Sequence, residues 1–423
     1  MERSENDHRK YRVITLDNEL EVLLIGDKST HKSAACLTVD VGSNSENIPG
    51  LAHIVEHLLF MGSRKYPDVN TFDEAVKTSF GSQNASTSSM LTSYYFDCVS
   101  FQFERILDIF SQFFICPLFL INDLRSEMNS IDEEFRTNKD NDDKRFDRGI
   151  AQFYNRSHPK FILHDGNNHL LYKDDIYDQS MKFFNTYYSS NIMKLVVVDR
   201  LALSEMEFYV RHIFNKIPNK NVRLNYSYGR LFPKDSRIHG HILSKKEIYQ
   251  SRIIWEFRTF SRNNPVYNFV LYLIEFRGTD SLFETLYKRL IINDINASLS
   301  EQDDYSTLEI DIQFTKNGWY CRNYIYNLIK RYMILIRDSN KNDVKRLYNI
   351  YRRSLLLKYK YYIPLEPIKT VEILCRNWIE LKLNPHCLIS HFKVLPKFST
   401  EVYEMIIEFI NSIIGELTSK NFL

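Results

Sequence analysis

The sequence predicts an α+β protein in which one mixed unit of strands and helices is used twice. Three observations carry that expectation. Short β-branched or aromatic runs alternate with longer helical stretches through the first half of the chain. A Lys/Asn/Pro-rich stretch at 216–230 interrupts the pattern, which then restarts in similar order. A chain of 423 residues also suits two domains of roughly 200 residues each. The boundaries that follow are 1–215 for a first domain, 216–236 for a linker and 237–423 for a second domain.

In chain order, Arg12–Leu16 and Glu21–Ile25 read as strands around Asp17-Asn18, and Ser33–Val41 as a third ending at Gly42. Leu51–Met61 is an apolar helix, punctuated by Pro49-Gly50 before it and Gly62 after it. Asn70–Thr71 offers an N-cap for a helix through Lys77. Ser82–Ser89 reads as a polar strand and Thr92–Ser100 as an aromatic one. Helices are expected at Glu104–Phe114, Asn122–Thr137, Asp143–Phe153 and Asp178–Tyr188, then the strand Met193–Val198 and a helix over Leu203–Phe214. Beyond the linker, strands are expected at His241–Leu243, Arg252–Arg258 and Tyr305–Phe314. Helices are expected at Pro265–Phe276, Leu282–Leu290, Tyr320–Arg337 and Asn342–Leu357. The first half closes with Ser189–Val198, a turn into a buried strand, whereas the second stops after Thr418–Leu423. The second domain is therefore expected to be truncated, in a fragment or a diverged half-molecule.

Composition excludes several classes. Lys+Arg 55 against Asp+Glu 53 leaves a formal charge of +2, without the basic excess of a dedicated nucleic-acid binder. No apolar run approaches the ~18 residues of a membrane span, so neither nucleic acid nor membrane is expected as a partner. The six cysteines form no C-x-x-C pair, and the N-terminus shows neither a secretory apolar stretch nor the acid-poor character of a mitochondrial presequence. Free thiols in a reducing, cytoplasmic compartment are the expectation. Nucleotide-binding glycine motifs are missing. His239-Gly-His241 reads as incidental, Cys375 and His386-Cys387 as core or surface, and Arg352-Arg353 and Lys358–Lys360 as solvated helix faces.

Chemistry concentrates at His53-Ile-Val-Glu56-His57. Histidines four apart on a helix project from one face, a bidentate grip for a metal. A catalytic zinc takes three protein ligands and keeps one position open. Glu56, one residue before His57, places a carboxylate near that position, where it is able to take a proton from water. The motif lies among Leu51, Ala52, Ile54, Val55, Leu58, Leu59 and Phe60, where unpartnered imidazoles and a carboxylate are costly. The third ligand must come from elsewhere. The acidic stretch Asp123–Thr137 offers Glu127 and Glu134, seven apart and on one helical face; either is able to ligate zinc while the other supports a ligand.

At these residues the chain resembles the insulin-degrading-enzyme, or pitrilysin-like, family of inverzincin metallopeptidases. The similar stretches are Gly50–Pro67, Gly81–Thr87, Thr92–Phe96, Phe113–Phe119 and Glu127–Glu134. Glu134 falls 77 residues after His57, the spacing at which the family carries its glutamate ligand. The resemblance implies one zinc ion held by His53, His57 and Glu134, with Glu56 as general base and Glu127 supporting a ligand histidine. It implies that Asn84 and Ala85 lie on a strand whose edge pairs with bound peptide. It also implies two homologous domains, each a mostly antiparallel sheet packed against helices, as in the mitochondrial processing peptidase, with only the first catalytic. Tyr305–Phe314 would correspond to the strand that anchors substrate N-termini.

Full-length members of that family have four such domains, so this chain corresponds to the N-terminal half. Ser86 and Lys144 stand where, or near where, relatives carry aromatics, and Ser298–Asp304 has lost the family's glycines. The expected activity is zinc-dependent endopeptidase action on short peptides. The alternative is a half-molecule, peptide-binding pseudoenzyme or subunit that requires a second homologous half.

Overall fold

A computed structural model describes residues 3–162, 166–233, 249–257, 260, 264–301, 305–389 and 395–418. The chain forms two compact units: unit 1 is 1–144, 159–225 and 362–390, and unit 2 is 145–158, 226–361 and 391–423.

Unit 1 is organised by six strands, β1 (Lys10–Thr15), β2 (Glu21–Gly26), β3 (Lys32–Val39), β4 (Ser82–Thr87), β5 (Thr92–Val99) and β6 (Met193–Asp199). Their order is β1-β2-β6-β3-β5-β4. Only the β2–β6 pair is parallel. The central strands are buried on both faces, and their Val/Leu/Ala-rich sequences match that burial. β4 alternates exposed and half-buried residues and forms one edge of the sheet.

The helices of the first half are α1 (Leu51–Leu58), α2 (Thr71–Thr78), α3 (Phe103–Ile115), α4 (Ile121–Thr137), α5 (Asp142–Ala151), α6 (Asn168–Leu171), α7 (Ile176–Tyr187) and α8 (Leu203–Phe214). Most cover one sheet face around an aromatic core in which Phe60, Phe72, Phe96, Phe110, Phe113 and Phe114 interlock at ring separations of 4.9–6.2 Å. Asn70, the expected cap of α2, is in helical conformation with no side-chain capping bond. The acids Asp73 and Glu74 instead favour that terminus through the helix dipole.

Unit 2 contains β7 (Tyr249–Phe257), β8 (Ile292–Glu301) and β9 (Ser306–Phe314), an antiparallel sheet in the order β7-β9-β8. Around it run α9 (Pro265–Glu275), α10 (Leu282–Lys288), α11 (Lys316–Tyr320), α12 (Arg322–Asp338), α13 (Lys341–Lys360) and α15 (Thr400–Thr418), while α14 (Pro367–Glu380) belongs to unit 1. The expected strand over Tyr305–Phe314 is present as β9, paired on both sides, while β8 extends well before the expected Ser298–Asp304 and is an edge among the described residues.

Two further features depart from the linear reading. Val371, Cys375 and Trp378 of α14 pack on Leu23, Ile25, Ala34, Cys36 and Val196, covering the second face of the unit 1 sheet. The expected linker begins tied to unit 1, since Lys220 and Val222 donate backbone hydrogen bonds to Ser189 and Asn191. The expected strand His241–Leu243 and the His239-Gly-His241 pair lie outside the described residues.

Candidate metal centre

α1 starts sharply because Gly50 adopts φ +90°, and a Cβ there would stand 2.5 Å from the Gly166 Cα. Glu46 clamps the first turn: one carboxylate oxygen accepts from Gly50 N–H and the other from Ala52 N–H, both at 2.8 Å. These charge-assisted bonds satisfy donors a helix start leaves orphaned.

From this anchored turn His53 and His57 project together. Their Nε2 atoms are 3.2 Å apart, with the rings edge-to-face. Glu134 on α4 brings Oε2 to 3.6 Å from His53 Nε2 and Oε1 to 3.8 Å from His57 Nε2. One ligand atom from each residue lies within 4.8 Å of the others. Glu127, two turns earlier on α4, meets the opposite side of His57, 2.9 Å from Nδ1. The seven-residue spacing thus lets one helix supply a carboxylate to each side of the same imidazole.

The donor chemistry fits zinc. Two imidazole nitrogens facing each other at hydrogen-bond distance, with a carboxylate beside both, are a nitrogen/oxygen set of three that leaves a fourth tetrahedral position open. With Nδ1–H donating to Glu127, the His57 Nε2 lone pair is free for a metal. Burial would lower the His57 pKa, but the Glu127 hydrogen bond and the charges of Glu56, Glu134 and Glu127 outweigh it and raise it.

Glu56 sits between this trio and the sheet, only 7% exposed. Thr87 Oγ1, at the end of β4, donates to its Oε2 at 2.5 Å. Burial pushes the Glu56 carboxyl above its ordinary range, and the Glu134 charge adds to this; Thr87, His53 and His57 act in the opposite sense. Beneath it the buried Tyr94 and Tyr188 hydroxyls bond to each other at 2.6 Å.

Asn84 and Ala85 lie on β4, in the strand that ends at Thr87. Ala85 N–H is held by the Asn84 side chain at 2.9 Å, so it points away from β5 toward the open edge. Ser86 is exposed on the same strand. Two contributors escaped the sequence reading. Thr87 carries no local signal, because its partner is 31 residues away. Glu46, four residues before the αL glycine, could have been found as a carboxylate preceding a helix start.

The chain belongs to the M16 peptidase family and shares its fold. Residues 21–161 match the insulinase domain (peptidase family M16) and residues 175–351 the peptidase M16 inactive domain. The chain is 29% identical over 412 residues to an insulin-degrading enzyme homolog of Dictyostelium discoideum, covering 94% of this chain and 41% of the relative. With the insulin-degrading enzyme of Mus musculus the identity is 33% over 337 residues, 75% of this chain and 32% of the relative. The chain thus spans less than half the length of these relatives. The crystal structure of pitrilysin shares the fold with a TM-score of 0.83 at 23% identity, over 97% of this chain and 44% of that one. A protease from Helicobacter pylori does so with a TM-score of 0.71 at 17% identity, over 96% of both chains.

Proposed function

We propose that this chain is a zinc-dependent metalloendopeptidase acting on short, extended peptides. His53, His57 and Glu134 would hold the ion, Glu56 would act as general base and Glu127 would orient His57. The observation that carries this reading is the convergence of three ligand atoms within 4.8 Å, with a buried carboxylate beside them on the same helix. Membership of a metallopeptidase family supports it.

Zinc, when bound, supplies positive charge that polarises a peptide carbonyl and acidifies water. The chain's own residues do the rest. Burial raises the proton affinity of Glu56, so it takes a proton from attacking water and delivers it to the leaving amine. Thr87 restrains one carboxylate oxygen, leaving the other to do this work. The open edge of β4, at Asn84 and Ala85, receives an extended peptide by strand addition and leads it to Thr87 beside Glu56.

We further propose that residues 1–215 carry the centre and that 237–423, joined through 216–236, form a homologous domain without its own catalysis; residues 237–351 lie within the longer stretch, 175–351, that matches an inactive domain. Six free cysteines favour a reducing cytoplasmic setting. Among the described residues no helix is long and apolar enough to cross a membrane. A second reading, a half-molecule that binds peptide but requires a homologous half for turnover, is favoured by one observation: the chain spans only 32–41% of the two insulin-degrading-enzyme relatives described above.

Cleavage of an internally quenched peptide by the zinc-loaded chain, beside Glu56→Gln, tests the proposal. Zinc-dependent cleavage abolished by Glu56→Gln is expected. Peptide binding without cleavage by the unaltered chain would favour the second reading. Cleavage undiminished in Glu56→Gln would remove Glu56 from the mechanism.

A further inference from the structure

The chain's charge is unevenly distributed. Between Arg322 and Lys360 it carries eleven Lys and Arg against two Asp, although the whole chain sums to only +2. This segment is α12 and α13. On α13 and its C-cap, residues Arg346, Ile350, Arg353, Leu357 and the capping Tyr361 follow one another at spacings of four, three, four and four, and all are exposed. At 100° per residue they fall within an arc of about 80°, a single outward seam. Ile350, Leu357 and Tyr361 are 50%, 46% and 63% exposed. Neither Arg346 nor Arg353, nor the flanking Lys345 and Lys358, makes an ion pair among the described residues. Asp343, one of the two acids, is engaged by the Asn340 amide.

α15, in the same unit, carries the complement. Glu401, Glu404, Glu408, Asn411 and Gly415 are exposed at spacings of three, four, three and four. Glu401, Glu404 and Glu408 likewise make no ion pair among the described residues. The side chains of Tyr403, Ile407 and Ser412 join Glu404, Glu408 and Asn411 around an open groove of about 570 Å³. Gly415 adds an independent observation. Glycine inside a helix is destabilising, and a Cβ here would meet nothing within 4 Å, so no packing among the described residues requires it. It is the residue that lets another backbone approach closely.

We infer that the α13 and α15 seams are docking faces for a second copy of this chain, the basic/aliphatic seam of one copy lying along the acidic seam of the other. Strict four-and-three spacing is the geometry of helix against helix. The two seams match in length, about 22 Å and about 21 Å at 1.5 Å per residue. They are opposite in charge; the basic seam carries Ile350, Leu357 and Tyr361, and Tyr403 and Ile407 flank the acidic one. Copies in which α13 and α15 each meet their counterpart satisfy both seams. The inference stands on unit 2 alone and does not depend on the metal centre.

The test is sedimentation velocity of the full chain at ~0.05 M and ~0.5 M NaCl, where the salt screens exposed charges to different extents. Two variants accompany it, Arg346→Glu with Arg353→Glu and Glu404→Lys with Glu408→Lys, all at exposed positions. Self-association of the wild type that weakens with salt is expected. Each variant alone should lose it by about tenfold or more, through like-charge repulsion. An equimolar mixture of the two should recover it, because each altered seam then meets its new complement. Far-UV circular dichroism checks that both variants fold. A wild type that stays monomeric, association indifferent to these charges, or a mixture that fails to recover overturns the inference. So does a wild-type chain that stays monomeric yet binds phosphatidylserine vesicles through Arg346 and Arg353, which would make the basic seam a lipid surface.

Discussion

Glu127 does not reach the mutual contact of the three ligand atoms, yet its removal should weaken zinc binding. Its Oε2 lies 2.9 Å from His57 Nδ1, and both side chains are mostly buried, 14% and 17% exposed. A carboxylate in that position fixes the tautomer with Nδ1–H toward Glu127 and makes Nε2 the better donor. A hydrogen bond to a charged group contributes about 1.5–3 kcal/mol. At 1.4 kcal/mol per decade that is about tenfold to a hundredfold in affinity, the range seen for partners of metal ligands. Glu127→Gln keeps an acceptor and loses the charge, so about tenfold weakening is expected; Glu127→Ala loses both, and about a hundredfold is expected. Competition against a chromophoric zinc chelator at fixed pH measures this without any turnover. An affinity unchanged within a factor of about two in Glu127→Ala would refute the argument that the carboxylate organises His57.

Three other outcomes follow from the same structure. Gly50→Ala puts a side chain at φ +90° against Gly166, and a loss of at least about 2 kcal/mol is expected by urea unfolding, with weaker zinc binding because α1 must shift. Trp378→Ala empties the contact between α14 and the sheet, where Trp378 is 2% exposed and stacks under Lys194 Nζ at 5.4 Å; a loss of about 3–5 kcal/mol is expected, and an unchanged midpoint would mean that α14 contributes little to unit 1. Burial raises the Asp27 pKa, but hydrogen bonds from Ser29 and Arg9 outweigh it and hold the carboxyl below its ordinary value. A depressed carboxyl stabilises the fold above its unfolded pKa of ~3.9, and that contribution is lost as pH falls through the lower folded value. Asp27→Asn should therefore show a shallower acid limb in stability against pH, and an identical limb would contradict this.

Much of the centre was legible because its pieces are periodic within single helices. His53 and His57 at i and i+4, and Glu127 and Glu134 at i and i+7, are fixed by 3.6 residues per turn whatever the rest of the chain does. The strands of unit 1 were legible for the same kind of reason, since β3 and β6 are runs of small and β-branched residues buried on both faces. Local rules could not choose between Glu127 and Glu134; only the placement of α4 against α1 sets one beside both Nε2 atoms and the other behind Nδ1.

What the sequence by itself determined, then, is which side chains share a face within one element, because backbone geometry repeats over a few residues. Tertiary structure alone decided which faces meet. Thr87 reaches Glu56 because β4 ends against α1. β9 lies between β7 and β8, a placement that no local pattern in its sequence specifies. α14 returns to a sheet whose nearest strand in sequence, β6, ended about 170 residues earlier, where Cys375 Sγ donates to the carbonyls of Cys36 and Lys194. Most of these contacts join segments far apart in the chain, and burial of apolar surface, which has no direction along the sequence, selects among them.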